Sequence, residues 1–490
     1  MEKERENLET KGKKSVKWSL FAEFFSKIAN PLSTMVLARI LTPEIFGIAT
    51  AVTIVVSFCE ALTESGFSRF LVQKDFKEED TYKKSLFVSL ITSLFFSSIL
   101  FALILIFRTQ ISDYLGNNGY ESILLVSCLQ LPFTAFNSIF TANLKRTFKF
   151  NHMFVARVVN CLAPFIITIP LALLGFGPWS LVIGTIGGQI IQTPILIFFN
   201  RKVIKPYFSF KLFKETLALS FPMVVESFTV WVSAWLTTFI ATQLFDTYTV
   251  GIVRVSSTTA NSIFGVVSVA YTMVLFALLS RQKDDKDAFE NTFYKIQSNG
   301  MAILIPLGIG AFFYSDLIVS IMLGSQWTSA SFVIGVLSIA ICIKVCFNDF
   351  VSEVFRAKGH FYFSIIYHLI ALAIKFALIL TVGRISFEWF IWSNVLSYLF
   401  IILFAIFVLK FKYKFSLKRQ LLQPIPSLLC AIGMIPFLVI KNFGTYSLAQ
   451  SFAQAICCGG VYLMLGFVLF KSLFKDTLSY LGFEKLTRKI

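Results

Sequence analysis

Charge is what this sequence has little of. Only 14% of its 490 residues are Asp, Glu, Lys or Arg, while 56% are hydrophobic and the mean hydropathy is +0.75. Soluble domains carry about a quarter charged residues, so a water-solvated globular enzyme is excluded. Histidine is scarce as well, at three residues, and no His/Cys group has metal-ligand spacing. All eight cysteines (Cys59, Cys128, Cys161, Cys342, Cys346, Cys430, Cys457 and Cys458) fall inside apolar runs. They read as small buried thiols, even Cys342 and Cys346, which share a helix face. There is no G-x-x-x-x-G-K-[ST] loop, no H-E-x-x-H and no nucleophile elbow. No catalytic residue, metal or cofactor is therefore assigned.

What the chain has instead is apolar blocks of roughly 20 residues, the helix length that crosses a bilayer core. The fold class expected is an all-α polytopic membrane protein with about 14 transmembrane helices. They lie near 18–38, 46–70, 85–107, 122–143, 153–174, 178–199, 216–240, 249–279, 296–314, 328–354, 361–383, 387–409, 421–440 and 447–470. The fourth and tenth are the least apolar and the ones expected to line something. The first 17 residues, MEKERENLETKGKKSVK, are polar. No cleavable signal peptide is expected, so the first helix would act as its own signal.

A formal net charge of +17 could suggest nucleic acid, but its distribution says otherwise. With the N-terminus inside and sides alternating, cytoplasmic segments hold 34 of the 44 Lys and Arg residues, and the outer loops hold four: Arg39, Arg108, Arg384 and Lys441. This is the positive-inside asymmetry. It places both termini in the cytoplasm and leaves no case for a nucleic-acid partner. The outer loops are short, so no soluble domain hangs on either face.

The stretch LARILTPEIFGI, Leu37 to Ile48, interrupts two apolar runs, and ATQLFDTYTVGI, Ala241 to Ile252, echoes it 204 positions later. Three further echoes keep the order: Gly116 with Gly324 at 208, Arg146 with Arg356 at 210, and Trp179 with Trp389 at 210. The reading is an internal duplication of six helices. An even number of spans keeps both copies in the same orientation, as parallel repeats. The expected organisation is a cytoplasmic N-terminus (1–17), an N-terminal six-helix bundle (18–200), a cytoplasmic linker (201–215), a C-terminal six-helix bundle (216–410), and helices 13–14 with a cytoplasmic tail (411–490). Since the repeat supplies both halves, a monomer is expected.

KWSLFAEFFSKIANPLSTMVLARILTPEIFGIATA, followed by SGFSRFLVQKD, resembles the amino-terminal pattern of the polysaccharide transporter family. These are Wzx-type flippases within the multidrug/oligosaccharidyl-lipid/polysaccharide exporter superfamily. The carrying residues are Lys17-Trp18-Ser19, Leu37-Ala38-Arg39, Pro43 to Gly47, Gly66 and Gln73-Lys74; FKFNHM (Phe148 to Met153) and LGSQW (Leu323 to Trp327) are also similar. The resemblance implies two six-helix bundles in a V, with a central polar cavity lined chiefly by helices one, two, seven and eight. It also implies a flippase that moves undecaprenyl-pyrophosphate-linked oligosaccharide units across a bacterial cytoplasmic (inner) membrane, for O-antigen, capsule or exopolysaccharide synthesis. Membrane lipid, the lipid-linked glycan, and the polymerase and chain-length proteins of the same pathway are the partners it suggests.

Charges inside spans are costly and normally face a cavity or a partner. Six cations remain once the loops are counted: Lys27, Arg69, Arg157, Arg254, Lys344 and Lys375. Lys27, Arg254, Lys344 and Lys375 are the candidate substrate-binding residues, for pyrophosphate or sugar. Two readings of Lys27 stay open: an ion pair with Glu60 or Glu64 inside the first hairpin, or a point charge for pyrophosphate. Arg254 could receive pyrophosphate in bidentate fashion or snorkel to headgroups. Lys344 and Lys375 could pair with Asp349 or Glu353, or line an entrance for the lipid tail. Arg69 and Arg157, near the cytoplasmic interface, are expected to touch headgroups. Glu60, Glu64 and Glu226 are the candidate ion-coupling or cavity acids. His368 reads as a satisfied interior residue, and Trp231 and Trp235 as anchors or packing, with sugar stacking the alternative.

Two other functions compete. A cation-coupled exporter of small molecules would have a more acidic, less cationic interior. A polysaccharide polymerase or ligase would need catalytic residues in sizeable outer loops, which this chain lacks. The expectation is a transporter that is not an enzyme, with coupling ion and glycan open.

Overall fold

A computed structural model describes residues 25–480, except 27, 64, 75, 77, 116–120, 202, 204 and 443–445. Among the described residues all regular structure is helical. Among the described residues, twelve helices are long and apolar enough to cross a membrane, or thirteen if the bent pair Leu417–Ile432 and Ile435–Lys441 counts as one span. The first expected span falls partly outside the described residues. The apolar blocks form helices because a backbone in hydrocarbon must satisfy its own hydrogen bonds. Their outward faces are apolar: Ile166, Phe198, Leu403, Met464 and Val468 are all exposed.

The chain divides into two compact units, 1–254 and 255–490. The first unit begins with α1 (28–40), then α2 (Pro43–Thr63), α3 (Ser65–Gln73), α4 (Glu79–Ile106), α5 (Arg108–Tyr114), α6 (Glu121–Cys128), α7 (Gln130–Arg146), α8 (Phe150–Leu173), α9 (Pro178–Asn200) and α10 (Phe210–Leu244). The next helix, α11 (Thr247–Arg281), starts in this unit and continues into the second. Helix α10 packs on α2, α3 and α4, so this packing boundary lies within α11, whereas the duplication boundary was expected at the 201–215 linker.

Small residues let these helices approach closely. A Cβ added to Gly184 of α9 would lie 1.8 Å from Thr168 Oγ1 of α8, and one on Gly188 would meet the Pro164 ring at 2.5 Å. One apolar cluster, with Phe67, Phe70, Leu71, Phe140 and Leu144 in it, ties α3 to α7. Another, with Val52, Val56, Leu124 and Leu131, joins α2 to the α6–α7 span.

The second unit continues with α12 (Lys286–Phe313), α13 (Ser315–Met322), α14 (Ala330–Ile343), α15 (Phe350–Ala357), α16 (Phe361–Thr381), α17 (Phe387–Tyr413), α18 (Leu417–Leu422), α19 (Ile425–Ile432), α20 (Ile435–Asn442), α21 (Leu448–Leu469) and α22 (Lys471–Tyr480). A π-helical stretch, Lys344–Asp349, joins α14 to α15 within one span. Its widened turn displaces backbone acceptors from the α ladder; the Gln297 amide donates to one of them, the Cys346 carbonyl, at 2.9 Å. Helices α19, α21 and α22 pack on α12, where the Tyr462 hydroxyl donates to the Ala302 carbonyl at 2.8 Å.

Candidate functional site

The first unit holds a cavity of about 1150 Å³ between α3, α7, α8 and α9. The α6–α7 span that supplies one wall is the fourth of the sequence. Among the described residues the spans Met223–Leu244 and Lys286–Phe313 are less apolar, and the expected tenth, found as Ala330–Ala357, is among the most apolar. Neither the fourth nor the tenth is therefore the least apolar, and what marks the fourth is the placement of its polar residues. Asn137 on α7 donates to Gln189 Oε1 at 2.9 Å and accepts from Thr193 Oγ1 at 3.0 Å. Gln192 donates to the Ala156 carbonyl at 3.3 Å. Asn137, Gln189 and Gln192 line the cavity together with Asn160, Thr134, Ser138 and Thr141. An amide in a bilayer span must find partners, and here α7, α8 and α9 satisfy one another around a polar space.

Five cations complete the wall: Arg69 on α3, Lys74 just beyond it, Lys145 and Arg146 at the end of α7, and Arg157 on α8. Among the described residues, no carboxylate lines it. Positive charges gathered along one wall create a field that favours an anion. Arginine adds a planar fork matched to phosphate oxygens.

Arg146 has a second role. Its Nη1 donates to the Leu71 carbonyl at 3.0 Å and the Lys74 carbonyl at 2.6 Å, closing the end of α3. Its guanidinium also lies 4.9 Å from the Phe76 ring centroid and 4.8 Å from that of Tyr82. Lys74 forms an ion pair with Glu215 at the start of α10, and Lys205 pairs with Asp80, so the linker is tied to this end of the unit.

The residues singled out on sequence are dispersed. Arg69 and Arg157, assigned there to lipid headgroups, stand in the cavity wall. The Arg254 guanidinium lies 4.0 Å from the Trp235 ring centroid, a cation–π stack between α11 and α10. Trp231 donates from its indole to Ser57 Oγ at 2.9 Å and packs on Phe58, so it joins α10 to α2. Glu60 is half-buried on α2. Lys27 and Glu64 lie outside the described residues, as does the side chain of Glu226.

In the second unit, Lys344 pairs with Asp349 at 3.5 Å across the π-helical turn. Glu353 is taken by Arg356 at 2.9 Å. Lys375 of α16 is half-buried and forms no ion pair with a carboxylate among the described residues. His368 reaches Ser352 Oγ at 3.5 Å, as expected of a satisfied interior residue.

Missed on sequence was the joint role of Arg69, Lys74, Lys145, Arg146 and Arg157. Each looked like an ordinary interfacial cation. The available signal was Asn137, Gln189 and Gln192 inside otherwise apolar spans.

The chain is 23% identical over 371 residues to an uncharacterized membrane protein in the cps region of Klebsiella pneumoniae, covering 75% of this chain and 76% of that one. It is 22% identical to the succinoglycan biosynthesis transport protein ExoT of Rhizobium meliloti (strain 1021), over 67% of this chain and 65% of the relative. Against the lipopolysaccharide biosynthesis protein WzxC of Escherichia coli (strain K12) it is 22% identical, covering 64% and 63%. Both of these matches span a little under two thirds of the relative.

Among solved structures it is similar to the lipid II flippase MurJ in an inward closed conformation, with a TM-score of 0.77 at 18% identity over 94% of this chain and 99% of that one. An inward-facing multidrug resistance MATE transporter of the MOP superfamily superposes with a TM-score of 0.63 at 13% identity, over 79% and 95%. These likenesses show the fold, and the proteins that carry it are transporters and flippases, not enzymes. Residues 36–332, more than half of the chain, match the model of a family described as polysaccharide biosynthesis protein, and the chain belongs to that family of multi-pass membrane transporters.

Proposed function

We propose that this chain is a flippase for a pyrophosphate-linked oligosaccharide on a polyprenyl lipid, moving it from the inner to the outer leaflet of the bacterial cytoplasmic membrane by alternating access. The observation that carries the reading is the cavity of the first unit, with five cations, four side-chain amides and no carboxylate in its described wall. A pyrophosphate needs cations at close range, and sugars need amide and hydroxyl partners. The cavity opens among the chain's basic turns, the side that the positive-inside asymmetry assigns to the cytoplasm. There, a substrate made inside the cell would load.

The relatives support the substrate class: one is a succinoglycan transport protein, another a lipopolysaccharide biosynthesis protein, and one structural neighbour is a lipid II flippase. A small-cation exporter would want carboxylates where this cavity has arginines. Within this proposal Arg69 and Arg157 take the pyrophosphate. Lys27, Arg254, Lys344 and Lys375 are secondary candidates along the route, and both termini are cytoplasmic.

The test is the sidedness of lipid-linked units in a strain lacking this chain, complemented with Arg69→Gln/Arg157→Gln. Complete units held on the inner leaflet, unrelieved by the variant, are expected. Single units collecting on the outer leaflet would mean a polymerase, and an unchanged lipid pool would mean an exporter.

A further inference from the structure

The turn from α7 to α8 closes by two backbone hydrogen bonds. Phe148 N–H donates to the Lys145 carbonyl at 3.2 Å and Lys149 N–H to the Leu144 carbonyl at 2.9 Å. This is a Schellman motif, whose central residue must adopt the left-handed conformation. That residue is Phe148, at φ 55°. Glycine takes this conformation freely, whereas an L side chain pays for it in steric strain.

The second unit contains the same turn 211 residues later. Gly359 N–H donates to Arg356 at 3.0 Å and His360 N–H to Phe355 at 2.9 Å, with Gly359 at φ 73°. A Cβ added to Gly359 would meet nothing within 4 Å. Space does not dictate the glycine there; the backbone angle does. At the matching position of the first unit the chain carries one of its largest side chains.

Phe148 is 57% exposed, so burial offsets only part of this strain. Phe148 lines the cationic cavity together with Lys145 of α7 and Arg157 and Asn160 of α8. Phe150, its aromatic neighbour at 6.3 Å between centroids, lines the same space. An exposed aromatic face carries negative potential, and the axial C–H face of a pyranose is its electrostatic and apolar complement. Strained backbone held at a binding surface is a feature of functional sites.

Resting on the flippase reading, we infer that Phe148 is the stacking platform for a sugar ring of the cargo, a residue that sets preference for the glycan while the neighbouring arginines hold the pyrophosphate. The lipid tail and the charge then bind any member of the class, and the ring at position 148 selects for those that carry a sugar.

The experiment measures binding of two probes to the full-length chain in nanodiscs: undecaprenyl-pyrophosphoryl-N-acetylglucosamine and sugar-free undecaprenyl pyrophosphate. Phe148→Gly should weaken the sugar-bearing probe about tenfold, an ordinary aromatic contribution, and leave the sugar-free probe unchanged. Phe148→Trp should retain both. Thermal stability of Phe148→Gly should equal or exceed that of the parent, because the strain is relieved. Equal effects on the two probes, or none on either, would overturn the stacking role, as would a drop in stability. Arg157→Gln should weaken both probes alike. If the parent binds neither probe, the flippase reading itself fails, and the platform with it.

Discussion

Gly47 of α2 and Gly251 of α11 face each other at a separation that admits no side chain. A Cβ on Gly47 would lie 1.8 Å from the Thr247 carbonyl oxygen, and one on Gly251 would lie 1.9 Å from that of Pro43. The contact is reciprocal: the two glycines are 204 positions apart, and so are the two carbonyl residues they meet. Both stretches belong to the first unit. Because the obstacle is backbone, no rotamer change can relieve a methyl group here.

Gly47→Ala and Gly251→Ala should each cost about 1–3 kcal/mol by overpacking. The double variant should cost less than their sum, because once the helices have separated the second methyl meets less. Thermal unfolding of purified protein in detergent reads both effects; additive losses would show that the two positions do not share one contact.

Arg146 and Arg157 both line the cavity but should behave differently. Arg146 holds two α3 carbonyls and stacks on Phe76 and Tyr82, so Arg146→Ala should lower stability by about 1.5–3 kcal/mol. Arg146→Lys should not restore it, because a lysine lacks the planar fork. Arg157→Gln should leave the melting temperature within about 2 °C of the parent while substrate binding falls. A reversal of these two profiles would exchange their roles.

The Lys344–Asp349 pair separates a structural cation from a substrate ligand. Its side chains are 38% and 24% exposed. As a structural pair, Lys344→Met should destabilise by about 1–2 kcal/mol, less than the roughly 3–5 kcal/mol of a fully buried pair, and Lys344→Met/Asp349→Leu should recover most of it. Lost transport at unchanged stability would instead assign Lys344 to the cargo.

His360, in the turn after α15, has its pKa lowered first by burial and then by Lys412 and Lys358. The folded state therefore favours the neutral ring, whose Nδ1 lies 2.8 Å from the Tyr413 hydroxyl. For a depressed histidine pKa the unfolded chain binds more protons, so this contribution is complete above the ordinary value of 6.5 and is lost as pH falls through the lowered one. His360→Asn should flatten the acid side of the stability profile in that window, measured as melting temperature against pH. An unchanged slope would mean that His360 titrates alike in both states.

Much of the fold was legible residue by residue. The expected span at 178–199 is α9, Pro178–Asn200, and that at 387–409 starts with α17 at Phe387. Ser386 caps α17 by accepting from Trp389 N–H at 3.3 Å, a signal that a single sequence carries in full. The bend between α19 and α20 was legible only in part. Residues 421–440 read as one apolar run, yet the helix turns by 49° at a break beside Gly433 and just ahead of Pro436, which has no N–H to continue the helical ladder.

The sequence by itself determined that this chain lives in a bilayer, where its helices lie and which loops are basic. Those properties depend on the local balance of apolar and charged residues against water and lipid, and a window of about 20 residues contains all of it. Only the tertiary structure decided which charges share a space. Arg69, Lys145 and Arg157 come from three helices and meet because α3, α7 and α8 pack at one end of the first unit, while Lys344 is claimed by an acid on its own π-helical turn. Proximity across helices is set by packing, and no one-dimensional pattern of hydropathy records it.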